Sequence, residues 1–199
     1  MNFYIVLIFL ITYLLCSINP AIEICKRKTG EDIRKLGSGN AGTANAMRVL
    51  GKPLGTLVIL LDIGKVYLSY YIIAWITRLF GYTTDMTTFK TVLILAAIIG
   101  HCFPIYYKFK GGKGVVVGMT LMIILEPKTV LICVIAALII MAITRTVAKG
   151  TIAGTVLYFI MSLVMGCDHI VAVTIATAIV IFKHRASIQR ILARQEHQF

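Results

Sequence analysis

Charge is scarce in this 199-residue chain, and acidic charge scarcest: eight Asp and Glu face twenty Lys and Arg, and the two signs together make up 14% of the residues. A soluble domain carries about 25% charged residues, so a water-surrounded globule is excluded. The five cysteines, at 16, 25, 102, 133 and 167, form no C-x-x-C pair and lie mostly inside apolar runs. That spacing excludes a disulfide framework or a thiolate zinc site, and no metal or other cofactor is expected. The opening stretch from Met1 to Cys16 lacks a basic n-region and a small-residue cleavage pattern. It is expected to stay in place as a first helix and not to be removed as a signal peptide. The net charge of +12 is spread between apolar segments and gathers on no face or tail, which argues against nucleic acid as a partner.

What is abundant is apolar, at 59% of the chain. Apolar runs near 3–22, 54–76, 89–107, 114–126, 129–143, 151–166 and 169–182 predict an all-α polytopic membrane bundle of seven transmembrane helices, one domain over 1–199. Several runs fall short of the ~20 residues that cross a bilayer unaided, so five spans is the fallback. With seven helices, sixteen of the twenty cations fall on one side, in the loop 23–53, the turns 108–114 and 144–150 and the tail. The positive-inside rule then puts the N-terminus outside and the C-terminus in the cytoplasm.

Three polar segments, far apart in sequence, thereby share the cytoplasmic face. The first, Gly37 to Arg48, is glycine-rich, and Ser38, Gly39, Asn40, Gly42, Asn45 and Arg48 supply backbone and side-chain donors suited to a phosphate. It also satisfies G-x-G-x-x-G, with Asp62 twenty residues after Gly42. The dinucleotide reading fails because charged Lys26 to Leu36 precedes it where a buried strand should be. The second, Gly100 to Gly114, holds Pro104 and then Gly111, Gly112, Lys113 and Gly114, a flexible cationic turn ahead of a helix. Taken alone, its lysines would equally well meet lipid headgroups. The third, from His184 through Ser187 to Glu196, would alone read as a basic amphipathic tail on anionic lipid, but helical spacing sets His184 and Ser187 on one face. Inside the membrane, Asp62 and Lys65 lie three apart and are expected to pair, as a structural brace or as one beneath an active site.

The order and content of these segments resemble the membrane acyl-phosphate:glycerol-3-phosphate acyltransferase family. Ser38, Gly39, Asn40, Gly42, Asn45 and Arg48 are similar to its S-G-N-x-G-x-x-N and arginine; the second segment to its G-H-x-F-P and F-x-G-G-K-G; the tail to its H-R-x-N-I and glutamate. The resemblance implies transfer of a fatty acyl group from acyl phosphate to the 1-hydroxyl of glycerol 3-phosphate, the first step of bacterial phospholipid synthesis, at the cytoplasmic membrane with the active site facing inward. It further implies Ser38, Arg48, Lys113 and His184 as catalytic residues, Gly39, Asn40, Gly42, Asn45, Gly111, Gly112, Gly114, Ser187 and Glu196 as substrate-binding, and an acyl-phosphate-forming enzyme as a candidate partner. An acyl phosphate is already activated, so neither metal nor covalent nucleophile is needed. None of the four histidines begins H-x-x-x-x-D, the general-base motif of soluble-headed acyltransferases. The chain departs from the pattern at Ser187 (asparagine in the family), Ala44 (threonine), Val66 (glycine), Ala148 (serine) and Arg194 (glycine). A diverged paralogue with altered or reduced activity, and less favoured a small membrane transporter, are the alternatives; against the transporter, the two halves show no internal repeat.

Overall fold

The computed structural model describes residues 3–81 and 84–197, and among these the regular structure is entirely helical. Ten α-helices follow in order: α1 Phe3–Ser17, α2 Pro20–Thr29, α3 Thr43–Leu50, α4 Lys52–Phe80, α5 Met86–Cys102, α6 Val115–Leu125, α7 Pro127–Thr144, α8 Val147–Val164, α9 Ile170–Lys183 and α10 Arg185–Leu192. Each predicted apolar run coincides for most of its length with one of them, and α2, α3 and α10 are additional.

Local chemistry explains the breaks. The Asn19 side chain accepts from the Ile22 amide at 3.0 Å and Pro20 takes the first helical position, where its missing N–H is of no consequence, so the 3–22 run ends one helix and starts another. Gly30 ends α2 at φ +78. Tyr107, in a single 3₁₀ turn after α5, donates its hydroxyl to Glu23 at 2.8 Å and ties that turn to α2.

Five helical stretches have the length and composition of a membrane span: Phe3–Thr29, Lys52–Phe80, Met86–Tyr107, Pro127–Thr144 and Val147–Val164. A sixth is α9 with α10, bent by 55° at His184. The seventh expected span falls short, because α6 has 11 residues, about 16 Å of helix against a hydrocarbon core of ~30 Å. By length alone, then, the count is five to six and not seven.

Helix ends meet at two opposite poles. At one, Lys90 near the start of α5 reaches Glu126 between α6 and α7 (3.1 Å) and Asp168 before α9 (3.5 Å), and Thr87 donates to Asp168 at 3.2 Å. Tyr4 of α1 bonds Thr77 of α4 nearby in the chain's up-and-down course. The other pole gathers the start of α4, the end of α5, the start of α6 and the end of α9, and it carries the three polar segments. Between the poles lies an apolar core that includes Ile8, Ile73, Leu93, Val117 and Leu121. Leu60, Trp75, Leu131, Ile139 and Leu163 point outward and stay exposed, as a lipid-facing surface requires. α7 and α8 approach closely because Gly154 has no side chain: a Cβ there would lie 2.9 Å from that of Ala137.

Candidate active site

The first loop is shaped from behind by Asn45 of α3, which is 1% exposed. Its Oδ1 accepts from the Ser38 amide at 2.8 Å, and its Nδ2 donates to the carbonyls of Ile33, Leu36 and Asn40 at 3.0–3.2 Å. The amide's two N–H donors are fully used, and Oδ1 keeps one lone pair. Asn45 was expected to bind substrate; here it holds the loop's shape, with Gly37 and Gly39 at φ +57 and +73. Gly42 precedes α3 and accepts from Ala46 at 3.0 Å, while Asn19 donates to the Ala41 carbonyl at 3.1 Å. Among the described residues the Ser38 hydroxyl and the exposed Arg48 guanidinium make no hydrogen bond or ion pair, so both are free to meet a ligand.

The second loop folds back over the last turn of α5. Gly111 and Gly112 donate their amides to the carbonyls of Cys102 and His101, both at 3.2 Å, satisfying acceptors that a helix end leaves open. A Cβ on Gly112 would sit 2.9 Å from the Ala41 carbonyl and collide with the His101 ring, so glycine lets the two loops touch. Gly114, at φ +84, then leads into α6.

Under this contact is the expected intramembrane pair. Lys65 Nζ lies 2.8 Å from Asp62 Oδ1 and also donates to the Ile18 carbonyl (2.7 Å) and His101 Nδ1 (3.0 Å). The pair is thus a triad, and the histidine it supports is the one on which Gly112 rests. Arg34 braces the same loop from the other side. It is chelated by Asp32 and donates to the Tyr107 and Lys110 carbonyls at 2.9 and 3.0 Å. The guanidinium holds the Asp32 carboxyl below its usual pKa.

The tail closes the site. Helix α9 bends at His184, which is 1% exposed; its Nδ1 donates to the Val180 carbonyl at 2.8 Å, leaving Nε2 as acceptor 3.3 Å from the Thr151 hydroxyl. Ser187, fully buried, accepts from Lys113 Nζ at 2.6 Å and from Arg190 at 3.0 Å, and donates to Glu196 at 3.4 Å. Arg190 and Glu196 pair at 2.7 Å. Burial pushes the Lys113 ammonium down to about 8, with Glu196 opposing the shift and Arg190 adding to it. Lys183 donates to the Cys102 and Gly111 carbonyls at 2.9 and 3.2 Å, fastening the tail to the second loop.

Lys113, Ser187 and Glu196 therefore stand in one hydrogen-bonded chain next to His184, while Ser38 and Arg48 share the face without bonding to them. The family departures have visible consequences. Ala148 offers no hydroxyl; the Thr151 hydroxyl three residues on donates to the Ala148 carbonyl at 3.1 Å and lies 3.3 Å from His184 Nε2. Arg194 sits at φ +56, the left-handed backbone that glycine adopts most readily. Asn19, Arg34, His101, Thr151 and Lys183 had no role assigned from sequence. The Asn-Pro step before α2 was the one legible signal among them. Among the described residues, one cluster has ligand atoms close enough for a metal, Cys167, Asp168 and His169, within 4.8 Å of one another. It lies at the opposite pole, where Lys90 already faces Asp168 at 3.5 Å.

Two cavities adjoin these loops. One, of about 180 Å³, is apolar and runs into the bundle from Gly114, Thr151 and Val180 past Gly118 and Tyr158. The other, of about 600 Å³, is cationic and lies on the outer side of Gly39 and Gly111.

Known proteins are similar to this chain in sequence and fold. The family model described as "Glycerol-3-phosphate acyltransferase" matches residues 6–194. The glycerol-3-phosphate acyltransferase of Clostridioides difficile (strain 630) is 34% identical over 97% of this chain and 94% of its own length. That of Staphylococcus aureus (strain bovine RF122 / ET3-1) is 34% identical over 96% of each. The crystal structure of PlsY (YgiH), an integral membrane glycerol 3-phosphate acyltransferase, superposes in its glycerol 3-phosphate form with a TM-score of 0.85 at 31% identity, covering 98% of this chain and 95% of that one. From a motif order that runs the length of the chain, a matching helical fold and these relatives, the chain belongs to the glycerol-3-phosphate acyltransferase family.

Proposed function

We propose that this membrane enzyme transfers a fatty acyl group from acyl phosphate to the 1-hydroxyl of glycerol 3-phosphate, yielding lysophosphatidic acid and phosphate. The observation that carries the reading is Lys113, held by Ser187 beside His184 where the apolar cavity opens at Gly114 and Thr151. Phosphate-binding cations and a path for an acyl chain meet there.

The acyl chain lies in the apolar cavity. Ser38, Gly39 and Asn40 hold the acyl-phosphate head, and Arg48 and Lys113 neutralise phosphate charge, with Gly111, Gly112 and Gly114 shaping the loop that carries Lys113. The acceptor oxygen attacks the acyl carbon, the bond from that carbon to the phosphate oxygen breaks, and phosphate leaves with the electron pair. The hydroxyl proton goes to the departing phosphate or to His184 Nε2, the ring nitrogen whose lone pair is left by the bond from Nδ1 to Val180. Glu196 and Arg190 keep Ser187, and through it Lys113, in place.

In the bilayer, seven helices cross, the short α6 among them, with the N-terminus outside and the C-terminus in the cytoplasm. The positive-inside count supports this orientation, as does the gathering of Lys90, Glu126 and Asp168 at the pole opposite the loops. The site then faces the cytoplasm at the inner membrane, where a soluble acyl-phosphate-forming enzyme would supply the donor. The test is phosphate release by purified protein in detergent given acyl phosphate and glycerol 3-phosphate. Release is expected to need both substrates and to vanish in Arg48→Ala; release without glycerol 3-phosphate would mean hydrolysis, and none at all would sink the reading.

A further inference from the structure

The cationic cleft outside the loops is a second place for an anion. Arg34, Lys35, Lys108, Lys110, Lys183 and Arg185 line its roughly 600 Å³, and Asp32 is the one acidic residue beside them. Asp32 is taken by Arg34, and among the described residues none of the other five cations has a carboxylate within 4.0 Å. Five like charges around one hollow repel one another, and an anion in the hollow relieves that repulsion. The volume falls in the ordinary range for a small-molecule site.

The cleft is built as well as charged. Lys183 lies 5.0 Å over the Phe103 ring and Arg185 lies 4.5 Å over that of Phe182. Lys108 and Phe109 both adopt left-handed backbone, φ +56 and +57, a conformation that bulky residues avoid. The Arg34 clamp on the carbonyls of Tyr107 and Lys110 holds that turn and points it toward the cleft. The cleft shares Gly39 and Gly111 with the candidate active site, but Ser38, Arg48, Lys113 and His184 do not line it.

The rim tells which anion fits. Phe109 and Phe182 line the cleft yet remain 57% and 55% exposed, at the level where α5 and α9 end. An apolar rim around a cationic floor, at the end of the bundle where the apolar helices stop, matches an amphiphile with a phosphate head. We propose that this cleft binds the phosphate headgroup of an anionic phospholipid, next to the substrate site but on cations other than Arg48 and Lys113, with the lipid tails lying against Phe109 and Phe182.

The experiment is native mass spectrometry of the purified protein in neutral detergent, titrated with phosphatidylglycerol, with phosphatidylcholine of the same chains, and with inorganic phosphate. Phosphatidylglycerol is expected to be retained in preference to phosphatidylcholine. The double variant Lys108→Asn, Lys110→Gln, in which asparagine tolerates the left-handed position, is expected to weaken phosphatidylglycerol binding roughly tenfold or more. Acyl transfer in the same detergent should stay unchanged. Lys35→Gln, at an exposed position away from the strained turn, gives a smaller loss in the same direction and guards against misfolding of the double variant. Equal retention of the two lipids, or unchanged binding in both variants, would overturn the proposal. Inorganic phosphate binding through these lysines with no lipid preference would assign the cleft to the free ion and defeat the lipid assignment.

Discussion

The two poles of the bundle are made from the same residue types and do opposite things. At one, Lys90 is shared between Glu126 and Asp168, so its charge is answered within the protein. At the other, Lys113 is held by the neutral Ser187 hydroxyl, Arg48 is free, and the cleft beside them carries five cations without carboxylates. Self-neutralised charge is scaffold, because nothing is gained by adding a ligand. Cations held by neutral groups keep their field for something that arrives from outside. The loop-bearing pole has paired charges too, in Asp32 with Arg34 and Arg190 with Glu196, but cations are left over around its cleft, which supports placing the candidate active site at that end.

The comparison breaks most visibly if Lys113 is removed. Lys113→Ala should lower kcat/KM by roughly 10²–10³, the loss seen when one donor to developing charge is deleted, with little change in the thermal unfolding midpoint. Asp62→Asn should do the reverse, acting on stability first. It leaves the buried Lys65 without its carboxylate, and loss of one partner of a buried pair costs about 3–5 kcal/mol, readable as a fall in the unfolding midpoint in detergent.

The pH dependence sharpens the contrast at intermediate size. The Lys113 ammonium titrates at about 8, below the ordinary 10.5, so its positive charge is present below that pH and lost as the pH rises through it. Glycerol 3-phosphate, with a second pKa near 6, is already dianionic there and adds no trend of its own. KM for glycerol 3-phosphate should rise roughly tenfold between pH 7 and 9, and Lys113→Arg should remove the rise. The smallest effect is expected at the paired pole: Lys90→Met should shift stability by about 1 kcal/mol or less and leave turnover alone. A large loss of turnover in that variant would erase the distinction between the poles.

Much of this was legible beforehand. The seven apolar runs announced seven of the ten helices, since a run of side chains that must avoid water reads the same in sequence and in space, and the i, i+3 spacing of Asp62 and Lys65 announced their pair; the short polar α2, α3 and α10 were not announced. What eluded reading were partners set by packing. Lys113 and Ser187 are 74 residues apart, and no local pattern says that a serine in the asparagine's place will take the lysine. Asn45 looked like a ligand-binding amide because composition cannot show which way a side chain faces. His101 stood inside a quoted motif, but only the packing of α4 and α5 on the same helix, α1, brings Lys65 to its ring and makes it the third member of the buried triad. Hydropathy left the span count open for a related reason: it measures which residues avoid water, whereas the end of α6 is set where Glu126 and Pro127 interrupt the helix.

By itself the amino-acid sequence determined the solvent this protein lives in, its helical class and the polar segments available for chemistry, because these depend on composition and near-neighbour spacing. Tertiary structure alone decided that Arg34 and Gly112 join the first two loops, that Ser187 and Glu196 carry Lys113, and that five cations share one unpaired cleft. Those are long-range contacts, and their geometry follows from how the helices pack, down to the missing Cβ that lets one loop lie on another.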